Sequence, residues 1–420
     1  MDRRWQWALR PWAAALVSIV LVVALAACGG SDDGDAGDGG GEKAGGGVSL
    51  ECKDGAITVG IAKAESGVAS FFDTAGTRGT KVAIDQINAD GGIKDCPIKI
   101  IEGDTKSDPA VGAQVARSLI SKGAQILFVA DDFDQGIAAA RVGQEAGVLT
   151  LSMAASSTQF GKAVGDKFFN TGPTTSQLAH AQAAFAADRD WKRAFVVLDP
   201  GLAYFTEQDE VFKTETKENG GEVVGTDKVD SLGGQADYSS TISKIKSLNP
   251  PVDVINTQMV FPQVGTFVKQ LRAAGIDTPI VGPPTLQTRE LPKQLGGAAS
   301  SDIYYSTQVY FEGAGQDPKT DKGIEAFATA YEEKFGHFPE QVNGPEAFQA
   351  MTAFNDVLQS KDVTDAGSAA DAIRALENVK VPGGELVRME DGHAIWNLSI
   401  AGLKNGKFQY VQVVPASDSE

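Results

Sequence analysis

From Ala56 onward the chain alternates between two hydrophobic rhythms. Short, mostly β-branched apolar runs are followed by longer stretches in which apolar residues recur every three or four positions. The first rhythm is that of buried strands, the second that of amphipathic helices. Ile57–Ile61 reads as a strand and Thr74–Asn88 as a helix ended by Gly91-Gly92. Ile98–Ile101 is a second strand, and Pro109–Ser121 a helix with Asp108 placed to cap it and Pro109 in its first turn. Ile126–Val129 follows as a strand, Ile137–Glu145 as a helix stopped at Gly147, and Val148–Leu151 as a fourth strand. Strands separated by helices of this length imply βαβ units and a parallel sheet.

The rhythm then restarts. Helices are predicted at Leu178–Ala187, Phe205–Lys217, Tyr238–Leu248 and Val264–Ala274. Strands are predicted between them at Ala194–Leu198, Glu222–Val224, Val252–Ile255 and Pro279–Val281. The fold class is therefore α/β, with two doubly wound parallel-sheet lobes. Beyond them come Ile303–Tyr305 as a strand and helices at Gly323–Phe335, Pro345–Ser360 and Ala369–Leu376. The chain finishes with strands at Glu385–Arg388, Ala394–Ile400 and Phe408–Val414, turning at Asp391-Gly392 and Asn405-Gly406. Late helices followed by terminal strands point to lobes that exchange segments.

The N-terminus follows neither rhythm. Arg3, Arg4 and Arg10 precede an apolar run from Ala13 to Ala27 broken only by Ser18, the pattern of a secretory signal. The run ends in Leu25-Ala26-Ala27-Cys28 and turns polar at once, which resembles a bacterial lipobox with Cys28 as the lipidated first mature residue. An uncleaved anchor is the other reading, although about 15 residues is short for a ~30 Å hydrocarbon core. Either way the body is exported and tethered to the membrane. Gly29–Gly47 is glycine-rich and acidic and cannot bury a core; residues 28–55 are expected to be a flexible tether. With Cys28 assigned to lipid, Cys52 and Cys96 remain as a pair in an oxidising compartment. If the strands that follow them are neighbours in a parallel sheet, both lie at one end of it. A disulfide there closes a loop of about 45 residues, stabilising by roughly 4 kcal/mol in the chain-entropy estimate. Two unpaired thiols are the alternative.

Composition narrows the partners. The 420 residues carry 37 basic and 55 acidic side chains, net −18, which argues against nucleic acid or an anionic lipid surface. Three cysteines and three histidines leave little material for a zinc site. His180, His337 and His393 lack metal-like spacing, and no nucleophile elbow, zinc-protease helix or phosphate loop is present. No metal, no cofactor and no catalysis are expected. A monomer is expected.

Several ordered stretches carry a family resemblance: Glu65-Ser66-Gly67 followed by GTKVAIDQINADGGI, then GDTKSDPAVGAQVARSLI and EAGVLTLSMAAS, and further on Asn170-Thr171-Gly172-Pro173, DYSSTISKIKSLNPPVDVI and KQLRAAGIDTPIVG. Together, over residues 56 to 413, the chain resembles the type I periplasmic solute-binding family, in particular the branched-chain amino acid and amide receptors of ABC importers. The resemblance implies two lobes joined by a three-segment hinge with crossovers near residues 173–177, 305–309 and 379–384. The implied division is a signal peptide over 1–27, the tether over 28–55, a first lobe from 56–175 with 307–380, and a second from 176–306 with 381–415. It also implies a small-molecule ligand held in the cleft and a membrane permease as partner, with a sensor that signals to a membrane-bound kinase as the alternative function.

Ligands in open α/β sheets bind beyond the carboxyl ends of the strands. That places the segments 64–72, 130–135 and 153–157 of the first lobe opposite 199–205, 257–262 and 282–287 of the second. The resemblance places Ala154 and Ser156 at the ligand's polar head, Phe72 at an apolar wall, and Tyr204, with Phe261 beside it, on the second lobe; Ser66 sits in the first of these segments. Two loops depart from the family's amino acid receptors. Where those carry a small hydroxyl residue, this chain reads Asp131-Asp132-Phe133-Asp134; where they carry an acidic residue, it reads Pro283-Pro284-Thr285. Either Asp131 or Asp132 supplies a counter-charge from the first lobe, or the ligand has no amine and Phe72, Phe133 and Tyr204 form an aromatic pocket. A third reading makes the acidic loop a solvated helix start.

Overall fold

A computed structural model describes residues 46–417. The signal segment 1–27, Cys28 and the glycine-rich run up to residue 45 lie outside the described residues. The first sheet is five-stranded and wholly parallel, in the order Ile98–Asp104, Ile57–Lys63, Ile126–Val129, Leu149–Ser152, Phe168–Phe169. Its central strands are buried along their whole length, as a sheet covered by helices on both faces requires. Asp108 caps the helix Pro109–Ser121 by accepting from the Ala110 and Val111 amides at 2.8 and 3.0 Å.

The second sheet has seven strands. Glu222–Lys228, Arg193–Leu198, Val254–Gln258, Ile280–Gly282 and Ile303–Thr307 run parallel, and the terminal hairpin Leu398–Lys404 and Lys407–Val414 adds antiparallel strands beside Ile303–Thr307. Asn405 and Gly406, both at positive φ (51° and 74°), make its turn.

Five expectations change here. The tether does not extend to residue 55. Val48 exchanges backbone hydrogen bonds with Gly147 and Ala366, Gln125 donates to the Ser49 and Glu51 carbonyls, and the Leu50 side chain enters the core. Residues from Val48 onward therefore belong to the fold, because Val48 and Leu50 are apolar enough to repay ordering this stretch. Next, the strand expected over Ala394–Ile400 is broken at Asn397. His393–Trp396 pairs with Gly384–Glu390 in a separate three-stranded sheet with Glu377–Val381, and only Leu398 onward joins the large sheet. Asn397 turns the chain by donating from its backbone and side chain to Glu385. The small sheet touches the edge of the first one, where Asn170 bonds Gly392 and Ala394 through the backbone. The last passage into the second sheet thus falls at Asn397, not at 379–384 as expected.

The other two changes concern helix starts. The first helix spans Ser70–Ala89 rather than starting at Thr74, and the helix after the third strand spans Phe133–Glu145 rather than starting at Ile137. In both, the extra first turn carries phenylalanines outside the apolar stripe that faces the sheet, so the hydrophobic period does not register them.

Cys52 and Cys96 form a disulfide with Cα atoms 5.7 Å apart, beside the pairing of Ile57 with Ile98 in the first sheet. The helix Asn343–Leu358 returns from the second lobe and packs against Ser70–Ala89. Their backbones nearly touch: a Cβ at Gly79 would stand 1.8 Å from the Gly344 carbonyl oxygen. This glycine crossing carries Glu346 over the carboxyl ends of the first sheet's strands.

Candidate functional site

Loops at the carboxyl ends of both sheets face one cavity. The first lobe contributes Phe72 and Asp73 from the first turn of Ser70–Ala89, Asp131 to Asp134 after the third strand, and Ala154, Ser156 and Ser157 after the fourth. The second contributes Leu202 to Phe205, Val260, Pro284 and Thr285, and the returning helix adds Gln341 to Asn343 and Glu346. The cleft holds about 910 Å³ of non-protein space, its open mouth included, within the size of small-molecule sites.

Aromatic rings and carboxyl groups dominate the lining. Phe72 and Phe133 are half-buried, Phe133 resting edge-on against Phe160 with ring centres 5.5 Å apart. Tyr204 is half-buried opposite them, and its hydroxyl is held well above the usual tyrosine range by burial and by the Glu346 carboxyl. Asp73 is structural. One oxygen accepts the Ala64 amide at 2.7 Å and the other the Asp131 amide at 2.9 Å, tying the loops after the first and third strands together. Burial lifts its pKa to about 6 despite those donors. Asp132 is the helix cap, accepting the Gln135 amide at 3.1 Å, and burial raises its pKa.

Asp131 differs from both. It is 8% exposed, and neither carboxylate oxygen has a hydrogen-bond partner among the described residues. The Ala154 amide and the Asn343 side chain stand near enough to favour its charged form, without hydrogen-bond geometry. Burial first, then the charges of Asp73 and Glu346, push its pKa well above the carboxylate range. Glu346 is 3% exposed with no hydrogen bond to its carboxyl among the described residues, and burial lifts its pKa to about 8. Among the described residues, no lysine, arginine or histidine lines the cavity.

The sequence-derived candidates separate clearly. Phe72, Asp132, Phe133, Ala154, Ser156 and Tyr204 line the cavity together. Phe261 lies outside it, in an adjoining recess with Val68, Phe71 and Leu232. Ser66 lines neither: it is exposed and donates to Asp104 at 3.1 Å, because the Asp104 carboxylate at the end of the neighbouring strand draws that loop away from the cleft. Glu346, Asn343 and Gln341 were missed. They lie more than 200 residues beyond the third-strand loop, and Glu346 in a helix reads as a surface charge until the glycine crossing buries it.

A cavity between the carboxyl ends of two α/β sheets, walled on one side by the returning helix, defines a two-lobed solute receptor. The chain belongs to the periplasmic binding protein family, whose sequence model matches residues 56–407. It is an extracytoplasmic, non-catalytic solute-binding protein. A leucine-, isoleucine-, valine-, threonine- and alanine-binding protein of Pseudomonas aeruginosa is 23% identical over 336 residues, 80% of this chain and 86% of that one. A Leu/Ile/Val-binding protein homologue of Brucella abortus is 24% identical over 341 residues, covering 80% and 87%. Among solved structures, a branched-chain amino acid transporter substrate-binding protein of Streptococcus pneumoniae, in complex with isoleucine, superimposes with a TM-score of 0.72 at 22% identity, covering 86% of this chain and 99% of that one. An ABC transporter solute-binding protein of R. palustris in complex with benzoate reaches 0.71 at 21% identity, covering 87% and 98%.

Proposed function

We propose that this chain is a lipid-anchored receptor that captures a small organic solute between its lobes and delivers it to an ABC import permease. The observation that carries the reading is the cleft itself, built from both sheets and from the returning helix. In this reading residues 47–170 with 308–396 form the first lobe and 175–307 with 398–414 the second, with passages between sheets near Asn170–Thr174, Gln308 and Asn397. Lobe closure follows from ligand contacts that exist only when Phe72, Phe133 and Ala154 face Tyr204 across the solute, since a ligand shifts a two-state equilibrium only through such differential contacts. Anchoring runs through Cys28, and the acidic run after it supplies reach to the permease. The receptor acts as a monomer.

The test is a thermal-shift screen of the full chain against amino acids, amides, polyamines, aromatic acids and sugars, because a ligand that binds only the folded state raises its melting temperature. A chemical class that shifts it should also be taken up by cells carrying the protein and not by cells lacking it. Absence of a shift with every class would sink the receptor reading. Fatty-acid labelling lost in Cys28→Ser tests the anchor.

A further inference from the structure

Two carboxyl groups in the cavity have no hydrogen-bond partner among the described residues, and among those residues no cationic side chain lines it to balance them. Burying an unpaired carboxyl is costly, and native proteins rarely leave one without a reason. Asp131 has room only because the turn of helix behind it lacks a side chain: a Cβ at Gly76 would stand 2.9 Å from its Oδ2. Glu346 is brought in by the crossing at Gly79 and Gly344. The two acids come from separate elements and converge on the same space.

We propose that the ligand is an organic cation, an amine or amidine with an apolar body and no carboxylate, whose charged nitrogen sits between Asp131 and Glu346 while its body packs among Phe72, Phe133 and Tyr204. The proposal rests on the receptor reading above and deepens it. Three observations set the chemistry. First, an ammonium or amidinium brings donors to the carboxylate oxygens that have none and replaces the missing counter-charge. Second, a ligand carboxylate would enter a space lined by Asp73, Asp131, Asp132, Asp134 and Glu346, against which its charge would be repelled. Third, no grouping of His, Cys, Asp and Glu among the described residues could hold a metal ion, so the cation is organic.

Charge balance makes the proposal visible in protons. Asp131 faces Asp73, Glu346, the Ala154 amide and Asn343; Glu346 faces Asp131 and Tyr204; and Asp73 faces Lys63 and Asp132. Burial and mutual repulsion favour the neutral acids in the empty cleft. A bound cation reverses that, so a proton leaves as the ligand enters.

The experiment is titration calorimetry of the full-length protein in detergent with probes that share a body and differ in charge. The aliphatic series is 3-methylbutylamine, leucinamide, leucine and 4-methylpentanoate; the aromatic series is phenethylamine, phenylalanine and 3-phenylpropanoate. The amine or amide of at least one series should bind at least tenfold more tightly than its carboxylate. Its binding heat should vary between phosphate and Tris buffers, as proton release requires. Asp131→Asn should weaken that amine at least tenfold; if this variant does not fold, the buffer dependence of the unaltered protein decides. Tighter binding of a carboxylate or zwitterion would overturn the cation assignment and leave the receptor standing. A sugar that binds while both series fail would do the same. Failure of these series and of the broad screen together would overturn both.

Discussion

Glu312 and Glu346 are both buried, and burial lifts both to a pKa of about 8, yet their surroundings could hardly differ more. Glu312 lies just after the passage out of the second sheet. One of its oxygens accepts the Tyr305 hydroxyl at 3.0 Å and the other the Phe311 amide at 3.1 Å. Its backbone carbonyl accepts from Arg289, whose guanidinium stacks on Phe338. Glu346 has none of this and borders the cleft. The same shift therefore has two meanings: at Glu312 a buried acid stitches the strand end to the loop that follows it, and at Glu346 a buried acid is left available. A raised pKa alone does not separate a structural group from one poised for a ligand; the hydrogen-bond inventory does.

The largest expected effect is on stability. Glu312→Leu leaves the Tyr305 hydroxyl and the Phe311 amide buried without acceptors and should cost about 3 kcal/mol, at one to two per orphaned group. Glu346→Leu removes an unpaired acid and should be neutral or stabilising by about 1 kcal/mol. Urea unfolding of the two variants checks this, and equal losses would erase the distinction.

Affinity comes next. Tyr204→Ala removes the aromatic face opposite Phe72 and Phe133 and should weaken the bound amine at least tenfold, about 1.4 kcal/mol. Its unfolding midpoint should stay close to that of the parent. Unchanged affinity in calorimetry would take Tyr204 out of the site.

A smaller effect should appear in the pH dependence of the empty protein. A carboxyl whose pKa rises from 4.5 unfolded to about 8 folded holds more protons in the folded state between those values. Its contribution is thus fully present below pH 4.5 and lost as pH rises through 8. His393 acts oppositely: burial lowers its pKa from 6.5 to about 4, so its contribution is lost as pH falls through that window. Between pH 6.5 and 8 the carboxyls act without it. The unfolding free energy should fall across this interval by on the order of 1 kcal/mol per group, and the melting temperature with it. Glu312→Gln and Glu346→Gln should each flatten the slope, but saturating amine should flatten only the part due to Glu346. An amine that leaves the slope intact would separate Glu346 from the ligand.

The smallest effect is the most selective. Ser66→Ala should change affinity by less than about twofold, a few tenths of a kcal/mol, because Ser66 bonds Asp104 on the far side of its loop. A larger loss in calorimetry would mean that this loop swings into the cleft on closure.

Much of the molecule was legible along the chain because local rules act locally. The alternation of apolar runs and helical stripes placed the parallel strands, Asp108 and Pro109 announced a helix start, and Asp391-Gly392 and Asn405-Gly406 announced turns whose positive φ values the structure contains. The ordered motifs placed the chain in its family and put Phe72, Phe133, Ala154, Ser156 and Tyr204 on strand-end loops. Other features belong to distance in three dimensions. Val48 and Leu50 look like tether until Gly147, Thr364 and Ala366 supply backbone partners. Ala394–Ile400 looks like one strand until its two halves find different sheets. Glu346 looks like a helix surface charge, and only the contact of Gly79 with Gly344 turns it inward. Periodicity and capping depend on neighbours a few positions away, so sequence determined the elements, their order and the loops that face the cleft. Burial and hydrogen-bond satisfaction depend on residues hundreds of positions apart, so the tertiary structure alone decided which carboxyl groups meet there without a partner.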